Sequence, residues 1–348
     1  MRNQTPFNVA TVADQRFFPG LWAMLISAAA HSNDLSEVTF HVVDGGIAMD
    51  SWKKLEHALS KHPMPPRLVR HELDSSHLEG LPLRQGKSPL TYARLLFPKM
   101  FEFDQLLYLD SDLLVFKDVT EIFPSVTPEN AGSAALNADG PSLSFDLSDE
   151  LCQHFGKQPD DPYFNAGVMV MNLNYWRKNE LAKKCFDFLS THEPAYVDQT
   201  AINVVMNRQM AFLDPSWNSL ANRIDIGRLA NSGFVVHYTS SKPWLVKQHH
   251  PTATLFEKFC ADTGLKLDER SLESSPKYQP AIFHFIRSKL YLYLGFANSA
   301  IGRKAKAREY VRVAEFWGNF FQGRKSRAIA YHNATEKIMA TNFRPEWL

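Results

Sequence analysis

From Asn8 to about residue 260 the chain alternates short aliphatic runs with segments of helical period, and that alternation constrains its fold more than any other feature. Strand-like runs cover residues 8–12, 39–43, 67–71, 105–109, 133–136, 166–172 and 234–237. Most are β-branched or aliphatic and bounded by Asp, Gly or Asn, the residues that mark turns. Helix-period segments lie between them at 20–31, 50–60, 90–100, 175–190 and 198–206. The order predicts an α/β domain over residues 1–265. Beyond about residue 275 the strand pattern stops. Residues 281–298, 305–322 and 327–341 read as helices carrying interleaved aromatic and basic positions. A polar linker therefore separates the first domain from a helical extension at 276–348.

The charge divides along the same line. Lys+Arg 38 against Asp+Glu 37 gives +1 overall, which proposes no nucleic-acid partner. The extension, however, holds thirteen Lys/Arg against four acids, +9, and the rest of the chain 25 against 33, −8. Three cysteines, Cys152, Cys185 and Cys260, lie far apart in no metal-like spacing, so neither a disulfide framework nor a Cys-ligated zinc is expected. No apolar run reaches the roughly 18 residues of a membrane span. With strand character beginning at Phe7, the expected location is cytoplasmic.

The sharpest local feature is Leu106-Leu107-Tyr108-Leu109-Asp110-Ser111-Asp112-Leu113-Leu114. A buried strand runs into two carboxylates spaced i, i+2. Such hard oxygen donors at a strand's carboxyl end can hold Mn²⁺ or Mg²⁺, in the crevice where α/β sheets bind ligands. Taken alone the pattern recurs by chance, and Asp110 reads equally as a turn cap. In Val236-His237-Tyr238-Thr239-Ser240-Ser241-Lys242-Pro243-Trp244 the His can serve as a third ligand and the Lys can reach a phosphate oxygen. The alternative is a surface loop with a structural His. Tyr163-Phe164-Asn165-Ala166-Gly167-Val168 opens another strand, and the Asn165 amide can donate to and accept from a sugar hydroxyl; a helix–strand corner is the plainer reading. Arg94, one turn into a helix, suits a diphosphate or plain solvent. Asp198 opens a helix, where it can be an N-cap, and Asp14 follows the first strand, where it could accept from a uracil or ribose.

In this order, Tyr92-Ala93-Arg94, Leu107-Tyr108-Leu109-Asp110-x-Asp112, Phe164-Asn165-Ala166-Gly167-Val168, Asp198-Gln199 and His237-Tyr238 followed by Lys242-Pro243-Trp244 resemble glycosyltransferase family 8. The likeness runs from about Asn8 to about Trp244. The resemblance implies a GT-A fold and a UDP-sugar donor, usually UDP-glucose or UDP-galactose. It places the metal on Asp110, Asp112 and His237. Asp14, Arg94, Ser111 and Lys242, with the two metal carboxylates, would hold the donor, and Asn165, Asp139, Asp198 and Gln199 would line the sugar pocket. Transfer would retain anomeric configuration.

Retention by double displacement needs a carboxylate beneath the anomeric carbon. The matching position holds Gln199, a poor nucleophile, beside Asp198, so front-face attack is expected instead. Two departures from the family pattern are Arg16, where many members have Asn, and a His237–Lys242 loop without its usual Gly. The acceptor class is a glycan or lipid-linked glycan, with lipopolysaccharide foremost. The basic extension suits either a solvated cap or a peripheral contact with an anionic membrane. The competing functions are a sugar nucleotidyltransferase, which would want a Gly-rich phosphate loop after the first strand, a glycan-binding relative without turnover, and a self-glucosylating primer.

Overall fold

The computed structural model describes residues 7–32, 34–83, 88–222, 233–239, 241–246, 251–268, 290 and 347–348. The three helices expected at 281–298, 305–322 and 327–341 lie outside the described residues, apart from Leu290.

Among the described residues, ten strands build two sheets. The larger contains β1 (Phe7–Ala13), β2 (Val38–Asp44), β3 (Arg67–Glu72), β4 (Gln105–Leu109), β6 (Gly132–Leu136), β7 (Phe164–Asn172) and β8 (Met210–Phe212). The smaller contains β5 (Leu113–Val115), β9 (Ser219–Leu220) and β10 (Val235–His237). The large sheet runs β3-β2-β1-β4-β7-β6-β8, and the small one β5-β10-β9. Only β7 opposes the other strands of its sheet, antiparallel to both β4 and β6. Strand order reverses between β1 and β4, which are parallel neighbours through Val9–Leu107 and Ala10–Tyr108. This reversal is a topological switch point, and it opens a crevice at the carboxyl ends of β1 and β4.

Helices cover both faces, as a largely parallel sheet requires. One face packs against α1 (Phe18–His31), α2 (Met49–Ser60) and, after the sheets, α8 (Pro251–Asp262). α1 is apolar on nearly every side because β5, α2 and α8 enclose it. Its Trp22 indole donates to Thr263 Oγ1 at 3.0 Å. The other face holds α3 (Phe97–Met100), α4 (Asp149–His154), α5 (Leu173–Lys178), α6 (Leu181–Leu189) and α7 (Val197–Met206). The seven expected strands and the α/β class stand. β8 and β9, at three and two residues, are too short to leave a periodic signal.

Two expected helices differ in form. The 90–100 segment is 3-10 from Pro89 to Leu96 and α-helical only over α3. Pro98 has no N–H to give the Arg94 carbonyl, so the i→i−4 ladder cannot pass through it. Phe97 closes on Arg94 one residue tighter. The 175–190 segment breaks into α5 and α6 at Glu180, whose φ of 52° is left-handed. The three cysteines are buried and not joined by a disulfide. No helix among the described residues is long and apolar enough to cross a membrane.

Candidate active site

The chain leaves the large sheet at Leu109 and enters the small one at Leu113, so Asp110, Ser111 and Asp112 form the hinge between sheets. Both sides of the hinge are clamped by backbone. The Asp110 N–H donates to the Gly167 carbonyl at 2.8 Å, and the Asp112 carbonyl accepts from Tyr238 N at 3.0 Å. β10 pairs antiparallel with β5, which sets His237 opposite Leu113. The imidazole Nε2 then lies 3.5 Å from Asp110 Oδ2 and 3.1 Å from Asp112 Oδ1. The three side chains offer donor atoms all within 4.8 Å of one another.

The surroundings fit a divalent cation. Two carboxylates and an imidazole are a donor set suited to Mn²⁺. Asp112 Oδ1 is buried and turned toward the imidazole, inside the cluster. Gly167 supplies the room, since a Cβ there would stand 2.2 Å from His237 Cε1 and 2.7 Å from Asp110 Oδ2. The Lys242 ammonium bridges Asp112 Oδ2 and the Tyr238 carbonyl. Burial opposes ionisation of Asp112, but Lys242 and His237 outweigh it and hold the carboxyl well below its usual range. Burial likewise lowers the His237 pKa, yet Asp112 and Asp110 override it and raise the imidazole to about 9.

Arg94 sits behind this cluster as a strut. Its guanidinium donates to the Ala166 carbonyl at 2.6 Å and to Asp110 Oδ1 at 3.0 Å. Nε lies 2.8 Å from Asp198 Oδ2, and the group covers the Tyr108 ring at 4.2 Å. All three nitrogens thus face protein oxygens. Tyr108, which sequence reasoning passed over, donates to the same Asp110 Oδ1 at 2.5 Å. Its position two residues before the carboxylate, on the same face of β4, was the available signal.

Asp198 is 2% exposed and accepts from Thr91 Oγ1 at 2.8 Å besides its pair with Arg94. Burial raises its carboxyl pKa even against that pair. It is not an N-cap: Tyr196 holds that place, and Val197 turns the corner at φ 44°, a strained value for a β-branched residue. The turn directs Asp198 inward, while Gln199 accepts from Ala166 N at 3.1 Å and donates to Tyr163 Oη at 3.3 Å. Asn165 is buried in β7, where its Oδ1 accepts from Gly167 N at 3.0 Å. These residues form one connected network with the carboxylates.

Other expected positions lie at its margins. Asp14, half-buried, caps the 3-10 turn Gln15–Phe17 by accepting from Phe17 N at 2.9 Å. Asp139 is exposed in the turn after β6, and it is the nearby Asn137 that meets Asn165, at 3.3 Å. Ser111 is buried, and its carbonyl is so close to α1 that a Cβ on Gly20 would come within 2.2 Å of it. The Arg16 carbonyl, not its side chain, takes the Trp244 indole at 3.0 Å, so this contact tolerates any residue at 16. Ser240, in the loop that lacks a Gly, lies outside the described residues.

An open α/β sheet with one reversed strand, and an Asp-x-Asp hinge at its switch point, define the GT-A class of glycosyltransferases. Solved structures agree. The chain superposes on the galactosyltransferase LgtC, solved in complex with donor and acceptor sugar analogs, with a TM-score of 0.63 at 22% identity, covering 76% of this chain and 98% of that one. The Glycosyl transferase family 8 model matches residues 8–248, and the chain belongs to that family. It is therefore a hexosyltransferase. It is 25% identical to General stress protein A of Bacillus subtilis, over 72% of this chain and 92% of that protein. Identity is 26% with a lipopolysaccharide 1,2-glucosyltransferase of Escherichia coli, over 72% of this chain and 76% of the relative.

Proposed function

We propose that this protein transfers glucose or galactose from a UDP-sugar to a glycan acceptor, with retention, in the assembly of lipopolysaccharide or a related surface polysaccharide. The observation that carries the reading is the convergence of Asp110, Asp112 and His237 at the switch crevice of a family 8 chain, with Lys242 on the same carboxylates. Asp110, Asp112 and His237 would hold Mn²⁺ or Mg²⁺, which supplies Lewis-acid stabilisation of the departing diphosphate. Lys242 would turn from Asp112 to a phosphate oxygen, and Asp14 would face the uridine. Arg94 would keep Asp110 aimed. Asn165 and Gln199, with Asp139 at the rim, would orient the hexose.

Asp198 is poorly placed to be a nucleophile, because both its oxygens already face Thr91 and Arg94 in a buried setting. Front-face attack follows. The acceptor hydroxyl oxygen bonds to the anomeric carbon as the bond to the phosphate oxygen breaks. The hydroxyl proton passes to that leaving oxygen, and protein dipoles steady the oxocarbenium-like state. The lipopolysaccharide-type acceptor is supported by the bacterial relatives, and peripheral contact with the cytoplasmic membrane face by the +9 extension. A screen of UDP- and GDP-sugars for slow hydrolysis, with Mn²⁺ and with EDTA, tests the reading. Turnover of UDP-glucose or UDP-galactose that EDTA stops is expected. EDTA-insensitive turnover, or no turnover of any UDP-sugar, would refute it. Intact-mass spectra after donor incubation are expected to be free of a hexose adduct on Asp198.

A further inference from the structure

His237 has two ring nitrogens, and only one can face the carboxylates. The other, Nδ1, lies 2.8 Å from Oδ1 of Asn218. Asn218 is 3% exposed and stands at the end of the short turn Pro215–Trp217, immediately before β9. Asp214 caps this turn by accepting from Ser216 N at 2.8 Å, and Lys117 donates to Ser216 Oγ at 2.7 Å. The Asn218 backbone is held by this closed turn, its N–H donating to the Pro215 carbonyl at 3.1 Å.

Which way its amide points follows from a backbone group. The Gly167 N–H can only donate, and its partner at 3.0 Å is the Asn165 side chain, which must present oxygen to it. That same oxygen lies 2.9 Å from the other end of the Asn218 amide, which must then present its NH₂. Asn218 is left with its carbonyl oxygen toward His237, so Nδ1 must carry a proton to donate. Two amides thus transmit the polarity of one β7 peptide group to the imidazole.

We infer that Asn218 is the positioning residue for His237: it fixes the Nδ1–H tautomer, leaves the Nε2 lone pair facing Asp110 and Asp112, and ties that ring to the sugar-side Asn165. Buried second partners of this kind orient metal-bound imidazoles and raise their basicity. The inference rests on reading Asp110, Asp112 and His237 as metal ligands.

The decisive experiment is ¹H–¹⁵N NMR of the full chain loaded with ¹¹³Cd²⁺, a diamagnetic probe whose coupling identifies the ligating nitrogen. Coupling to Nε2 of His237, with a slowly exchanging proton on Nδ1, is expected. Coupling to Nδ1 would overturn the inference while leaving the metal site standing. No coupling to either nitrogen would remove the metal reading and this inference together. Asn218→Ala is expected to weaken Mn²⁺ binding, counted as free Mn²⁺ by EPR, by about 10–100-fold. Asn218→Asp keeps an acceptor for Nδ1–H, so it should hold Mn²⁺ within about tenfold of the parent while donor KM rises through the lost bond to Asn165. Unchanged Mn²⁺ affinity in Asn218→Ala would overturn the assignment.

Discussion

Two buried histidines in this molecule show how a residue type acquires a job. His237 is 3% exposed and His41 8%. His41, in β2, lies 2.9 Å from His71 Nε2 and 3.0 Å from Asn8 Oδ1, with Phe101 and Phe103 against its ring. No carboxylate takes part in these contacts. Burial, with His71 and Arg67 nearby, lowers its pKa to about 4, so it is a neutral hydrogen-bonding spacer across three strands. His237 is as deep, yet two carboxylates drive its pKa to about 9. Both are buried, and it is the facing charge that separates them. A site for a cation is made by two carboxylates converging at a sheet junction, and the imidazole between them completes it.

Breaking the acidic side should have the largest effect. Asp112→Ala is expected to lower kcat/KM by at least about 10³-fold, the several kcal/mol of charge stabilisation that a bound cation supplies. Metal-dependent donor hydrolysis should go with it, while the circular dichroism spectrum stays as it was. Wild-type hydrolysis with the same Mn²⁺ dependence would show the carboxylate to be dispensable. The matched change in the other region, His41→Phe, should leave Mn²⁺ affinity at the parental value, and a large loss there would dissolve the comparison.

Crowding the cluster comes next. Gly167→Ala places a methyl 2.2 Å from the His237 ring, in a strand fixed by its pairing with β4. The ring or Asp110 must move, and Mn²⁺ affinity should fall about 10–100-fold by EPR, with about 1–3 kcal/mol of stability from overpacking. Parental affinity would mean that the pocket has slack the geometry denies.

The carboxylates, His237 and Lys242 were legible because each lies next to a strand and carries its chemistry in its own side chain. The large sheet was legible for a related reason: its principal strands are buried on both faces and read as aliphatic runs. What escaped was contextual. Asn218 stands in a turn of ordinary composition, and nothing local tells that a strand from elsewhere brings His237 to it. Arg94 suited either phosphate or plain solvent, and only the packing of β7 and α7 reveals that it braces Asp110 and the buried Asp198. Pro98 could have warned that residues 90–100 would not be a plain α-helix. Glu180 gave no such sign, since a left-handed break at a non-glycine is imposed by the packing around it.

The smallest effect is also the sharpest test of the two-histidine comparison, because its sign differs between them. In the metal-free protein His237 has a folded pKa of about 9 against the ordinary 6.5. Its contribution to stability is therefore fully present below pH 6.5 and is lost as the pH rises through about 9. His41 is displaced the other way, to about 4, so its contribution is present above pH 6.5 and is lost as the pH falls through about 4. One pKa unit is about 1.4 kcal/mol, and after relaxation each limb should amount to roughly 2 kcal/mol. For a domain of this size that is a drop in Tm of about 4–8 °C on each side. Melting curves of the EDTA-treated protein across this range should show both limbs. His41→Phe should shrink only the acid one, which His31 and His71 share because burial lowers their pKa values too, and His237→Gln should shrink only the alkaline one. Added Mn²⁺ should abolish the alkaline limb by displacing the Nε2 proton, releasing about one proton per ion at neutral pH. Calorimetry in buffers of differing ionisation enthalpy would count that proton. If the count is zero at neutral pH, His237 is not charged by its neighbours, and the two histidines are alike after all.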